Sequence, residues 1–126
     1  DKTLLIAEDS RSAQEVFREI FKDTNIKFEI FDDGQEILDY VDGLSDEELK
    51  NIGMVITDIE MPRRDGYQVV KELKSKDRTK FIPIAINTSM SNEGVAKKAT
   101  GLGISTAIAK TDPDAVMKAI KEHMLR

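Results

Sequence analysis

The sequence predicts an α/β domain, a parallel sheet covered by helices on both faces. Two observations carry this. Five short apolar runs alternate with five segments of helical period along the whole chain. Most of those runs are continuously apolar, the pattern of strands buried on both sides. Strict β/α alternation builds a parallel sheet through right-handed crossovers. Such a sheet places its ligand site beyond the carboxyl ends of its strands.

Residues 3–7 (TLLIA) read as the first buried strand. In residues 10–23, Ala13, Val16, Phe17, Ile20 and Phe21 recur at helical spacing, with Ser10 placed to cap the helix. Residues 26–31 (IKFEIF) alternate and are strand-like; residues 33–41 read as a helix with Ile37, Leu38 and Val41 on one side. The polar stretch 42–52 predicts a loop with a helical turn. Residues 54–57 (MVIT) form the third strand, and a helix follows from about residue 65 to 74. Residues 82–87 (IPIAIN) are the fourth strand, with Pro83 tolerable near its start. Residues 92–103 predict a helix closing on glycine, and 104–109 (ISTAIA) the fifth strand. The last helix has Asp112 as its cap and Pro113 at its first position.

At 126 residues the chain is the size of one domain, and residues 1–126 are read as a single unit. It opens on Asp1 rather than methionine, so a fragment of a longer protein is expected. A net charge of −5 offers no basic footprint for nucleic acid. No apolar run approaches a membrane span, and no signal peptide is visible. Cysteine is absent, which removes disulfides, thiol nucleophiles and thiolate metal sites and fits a reducing cytoplasm. The one histidine, His123, lies near the C-terminus and reads as surface.

The residues after the strands are the informative ones. Glu8 and Asp9 follow the first run, Asp58 the third, Thr88 and Ser89 the fourth, and Lys110 the fifth. Singly, an acid there is a helix cap or turn former, a threonine is structural and a lysine is a solvated rim charge. Together they gather on the one edge where this kind of sheet builds a site. Three carboxylates side by side repel unless their acidities shift or a cation joins them. All-oxygen ligands suit Mg²⁺, whereas zinc would favour the missing histidines and cysteines. A carboxylate is a nucleophile for phosphorus, giving an aspartyl phosphate. A threonine hydroxyl can hydrogen-bond a phosphoryl oxygen, and a lysine can hold another as a point charge.

Glu8-Asp9, the run TDIEMPRRDG (57–66), Thr88 and Lys110, in this order and spacing, resemble the receiver domain of bacterial two-component response regulators. The resemblance covers essentially the whole chain. It implies a flavodoxin-like, doubly wound fold with five helices and sheet order 2-1-3-4-5. It implies that Asp58 is the phosphoacceptor, with Mg²⁺ held by Asp9, Asp58 and the backbone carbonyl of Glu60. Glu8 would act through a metal-bound water, Thr88 as the switch hydroxyl and Lys110 as the partner of the phosphoryl group. Such a domain catalyses only its own phosphorylation and dephosphorylation.

The stretches INTSMS and AKTDPDAV are similar to the receiver of CheV-type chemotaxis proteins, in which a CheW-like coupling domain precedes the receiver. The partners implied are a CheA-type histidine kinase, a CheW-like domain and the chemoreceptor array. The sequence also departs from the family. Where chemotaxis receivers carry Tyr or Phe three residues before the lysine, Ala107 stands here, so an aromatic switch cannot be carried over. Thr111 replaces the usual proline after Lys110; a non-proline cis bond costs about 2.5–4 kcal/mol, so a trans bond is expected. Met90 cannot orient attacking water as a polar residue can, which predicts a long-lived phosphoryl group. Three other readings share parts of the pattern: a pseudo-receiver that binds without phosphorylation, the receiver of a transcriptional regulator, and an aspartyl-phosphate phosphatase. Against the last, Glu60 stands where a second aspartate is needed and these 126 residues are too few for a substrate cap.

Overall fold

Five parallel strands carry the fold: β1 (Thr3–Ala7), β2 (Lys27–Phe31), β3 (Ile52–Asp58), β4 (Ile84–Thr88) and β5 (Thr106–Ala109). They lie in the expected order β2-β1-β3-β4-β5. The computed structural model describes residues 2–88, 97–98, 101–110 and 112–125. The helices are α1 (Arg11–Phe21), α2 (Gly34–Asp42), α3 (Asp46–Leu49), α4 (Gly66–Lys74) and α5 (Pro113–His123). Lys97, Lys98, Gly101 and Leu102 are also helical, inside the stretch where the sequence predicts the fourth long helix, and Gly103 follows at φ 82°. The rest of that stretch lies outside the described residues. No helix among them is long and apolar enough to cross a membrane.

Local chemistry sets the helix starts. Ser10, Asp33, Asp65 and Asp112 each accept a backbone N–H of the first turn, satisfying a donor the helix cannot. Asp65 and Gln68 close a reciprocal capping box, as do Ser45 and Glu48 at α3. The predicted helical turn is therefore a capped helix, anchored by the buried Leu49.

Alternation along each strand divides the core. Leu5, Val55, Ile84 and Ile86 pack with Ile37, Val41, Val69 and Leu73 of α2 and α4. Their chain neighbours Leu4, Ile6, Met54, Ile56 and Ala85 pack with Phe17, Phe21, Val116 and Ile120 of α1 and α5. Each fully buried aliphatic side chain stabilises by about 1.5–3 kcal/mol, so both faces hold their helices firmly. The central β3 is buried along its whole length, while β2 is a half-exposed edge. Pro83 lies just outside β4, where its carbonyl accepts the N–H of Val55 at 2.9 Å.

Candidate functional site

Strand register assembles the site. The pairing of β1 with β3 ends at Ala7↔Thr57, so Glu8 and Asp58 are the next residues level with each other. Asp58 pairs in turn with Asn87 of β4. Thr88 is one residue beyond Asn87, and its carbonyl accepts the N–H of Lys110 at 2.9 Å, which fixes where the lysine leaves β5. The sheet thus brings residues from four strands to one edge.

Lys110 is the electrostatic centre. Its Nζ donates to Asp58 Oδ2 at 3.1 Å and lies 3.3 Å from Glu8 Oε1. Burial pulls the ammonium's pKa down, but the hydrogen bond it donates to Asp58 and the charge of Glu8 outweigh it and hold the pKa above its usual value. Asp58 Oδ1 accepts the N–H of Ile59 at 2.8 Å, so both carboxylate oxygens are oriented. Glu8 is wholly buried. Its Oε2 accepts the N–H of Ser10 at 3.0 Å, whereas Oε1 has no hydrogen bond because the lysine approaches it out of line. Burial, reinforced by the neighbouring Asp58 charge and opposed by Ser10 and Lys110, pushes Glu8 up to about 7.

Asp9 is exposed at the mouth. Glu8, Asp9 and Asp58 each present a carboxylate oxygen within 4.8 Å of the others. The donor set is all oxygen, and Glu8 Oε1 is a buried acceptor without a hydrogen bond. Both features fit a hard divalent cation.

The loop after β3 is shaped by a close backbone approach at Gly66 and by an ion pair at Arg63. Gly66 donates to the carbonyl of Ile59 at 2.7 Å, and a Cβ on it would sit 2.1 Å from Asp58 O. Only glycine allows that approach. Arg63 is in the left-handed region at φ 66°, and its guanidinium grips Asp33 through two bonds of 2.8 and 3.1 Å. The loop carrying Glu60 is thereby tied to the start of α2. Gln14 braces the other side, donating to Glu8 O at 2.6 Å and Asp32 Oδ1 at 2.8 Å.

The family model of the response regulator receiver domain matches residues 4–121. The chain belongs to that family. The receiver is 34% identical over 123 residues to chemotaxis protein CheV2 of Helicobacter pylori, covering 98% of this chain and 39% of that protein. It is 30% identical to chemotaxis protein CheV1 of the same organism, covering 98% of this chain and 38% of that protein. The chain therefore spans about two-fifths of the length of these curated relatives. Among solved structures, the Mn²⁺-bound form of response regulator Rcp1 shares the fold at a TM-score of 0.81 and 21% identity, covering 96% of this chain and 93% of that one.

Of the residues singled out from sequence, Glu8, Asp9, Asp58 and Lys110 converge. Thr88 ends β4 beside them as a strand residue rather than the one after it, and Asp58 likewise closes β3. The Glu60 side chain is exposed in the loop after β3. Ala107 is an exposed strand position. The expectations for Met90 and for the Lys110–Thr111 bond fall outside the described residues. Sequence reading assigned no role to Gln14, Asn87 or the Asp33–Arg63 pair. For Asn87 a signal existed, a polar side chain inside an apolar strand; for the others the partners are too far apart in sequence to be paired by eye.

Proposed function

We infer that this receiver accepts a phosphoryl group on Asp58 from a phosphohistidine donor. One observation carries the reading: a single ammonium, Lys110 Nζ, held 3.1 Å from Asp58 Oδ2 and 3.3 Å from Glu8 Oε1 at the rim of a parallel sheet. In the reaction an Asp58 carboxylate oxygen attacks phosphorus. The donor's P–N bond breaks, and its electron pair returns to the imidazole. Lys110 supplies fixed positive charge to the phosphoryl oxygens, and the Thr88 hydroxyl donates a hydrogen bond to one of them.

Mg²⁺ would be held by the carboxylates of Asp9 and Asp58 and the main-chain carbonyl of Glu60, with Glu8 acting through a metal-bound water, and once bound would neutralise charge on the phosphoryl oxygens. The Mn²⁺ named for Rcp1, a protein of the same fold, supports a divalent ion in such a pocket. The receiver turns over no separate substrate.

Phosphorylation adds about −1.5 to −2 charges at the sheet edge, enough to bias local structure between two states. With Ala107 on β5 there is no ring to rotate, so output proceeds through backbone movement or through other side chains around β5 and α5. Likeness to the CheV proteins supports a role in chemotaxis in the cytoplasm, with a CheA-type kinase as donor and a CheW-like domain and chemoreceptor array as the setting. A purified, autophosphorylated CheA-type kinase should pass its label to the receiver and not to the Asp58→Asn variant. Equal labelling of both proteins would contradict the assignment of Asp58.

A further inference from the structure

Asn87 is the cross-strand partner of Asp58 on β4. It is 2% exposed, and its Oδ1 has no hydrogen-bond partner. One other buried side-chain oxygen among the described residues shares that condition, Glu8 Oε1. The two orphaned acceptors thus flank Asp58, one on β4 and one just past the end of β1. Parity with Ala85 and Ile108 places Asn87 on the face covered by α1 and α5. A cavity of about 10 Å³, room for about one water, lies against it. Lys110 lines the same cavity, and the rest of its wall is apolar side chains of α1 and α5.

A buried amide with an unmet acceptor costs stability. Valine would suit this strand position without that cost. Asn87 therefore sits at a strand position where its polarity opposes folding, beside an ammonium with three donors. One of those donors is used on Asp58, and the approach to Glu8 is out of line.

We propose that Asn87 is a positioning residue for Lys110: its Oδ1, with one water in the shared cavity, is a further anchor of the ammonium beside Asp58. The inference rests on the phosphoacceptor reading of the site. An uncharged acceptor suits the task. It steadies the lysine without adding negative charge where an anionic phosphoryl group must arrive. It also stays an acceptor after phosphorylation, when the Asp58 carboxylate has become an acyl phosphate and grips the ammonium less.

Valine and threonine at position 87 have nearly the same shape and differ in a hydroxyl acceptor. With acetyl phosphate and Mg²⁺, Asn87→Val should be phosphorylated about tenfold more slowly than wild type. Asn87→Thr should stay within about threefold of wild type, because its hydroxyl still offers an acceptor. Without Mg²⁺, Asn87→Val should melt above Asn87→Thr. In a Lys110→Ala background the Val/Thr rate ratio should collapse to near one. Equal rates for Val and Thr would overturn the proposal, as would a ratio that persists without Lys110. If wild type itself takes no phosphoryl group, the phosphoacceptor reading fails on its own. Proton exchange of the Lys110 ammonium, followed by ¹⁵N NMR on unphosphorylated protein, then decides the Asn87 proposal. Slow exchange in wild type and Thr with fast exchange in Val supports it; equal exchange in all three overturns it.

Discussion

Lys110 Nζ reaches Asp58 Oδ2 at 3.1 Å across 52 residues of sequence, and the same nitrogen leans toward the buried Glu8. One cation thus serves two carboxylates, and it does so where a divalent ion would also sit. The lysine and the ion compete for the same carboxylate oxygens, which makes their effects separable. Lys110→Ala should slow phosphorylation by about 10²-fold, the scale for losing one preorganised charge donor. The same substitution should tighten Mg²⁺ binding, because the cluster loses a competing positive charge. Paired rate and Mg²⁺ titration measurements check this. Weaker Mg²⁺ binding in the variant would mean that the lysine holds the acids in place rather than competing for them.

Mg²⁺ should stabilise the folded chain. A ligand bound only by the native state adds about 2.7 kcal/mol at a hundred times its Kd. Thermal unfolding with Mg²⁺ should therefore occur at higher temperature than with a chelator. Asp9 is exposed and supports no core contact, so Asp9→Asn should leave the chelated midpoint unchanged and shrink the Mg²⁺-induced rise. A full rise in that variant would remove Asp9 from the ion's ligands.

The hydrogen bonds from Arg63 hold Asp33 below the usual carboxylate range, against the opposing effect of burial. A folded pKa below the unfolded one contributes stability that is present above the unfolded value, near 3.8, and is lost as pH falls through the folded value. Asp33→Asn keeps a competent helix cap but removes the charge. The variant should melt below wild type at neutral pH, and the gap should close in strong acid. A gap independent of pH would show that the pair acts through packing alone.

Gly66→Ala should cost on the order of 1–3 kcal/mol, the usual range for overpacking. The added Cβ would meet the Asp58 carbonyl at 2.1 Å, so the strand end or the loop must move. Because the displaced backbone is that of Asp58 itself, phosphorylation should slow together with the loss of stability. Denaturant unfolding and a phosphorylation time course on the same preparation test both effects. A stable variant of normal rate would show that the loop has slack.

Much of this architecture could be read from the chain because its causes are local. Ser10, Asp33, Asp65 and Asp112 cap helices through atoms three residues away at most, so each start was visible within a single turn of sequence. The site residues were visible because strand ends converge in a parallel sheet. Strand limits were less legible. Ile52 and Gly53 look like the end of a polar loop, yet pairing with β1 draws them into β3, and Gly53 packs so close to Met124 that a Cβ would lie 2.5 Å from its Cγ. Arg63 gave no sign of a left-handed backbone, because what secures it is Asp33, thirty residues earlier. Asn87 is visible in sequence only as the polar last residue of the apolar run 82–87; its burial depends on α1 and α5 closing over it.

The central claim is that Asp58 is the phosphoacceptor. The most direct test is the intact mass of the protein after incubation with Mg²⁺ and acetyl phosphate, with Asp58→Asn treated in parallel. The account predicts a gain of one phosphoryl group in the wild type, absent from the variant and abolished by a chelator. No gain in a wild type that demonstrably binds Mg²⁺, or an equal gain in Asp58→Asn, would contradict it.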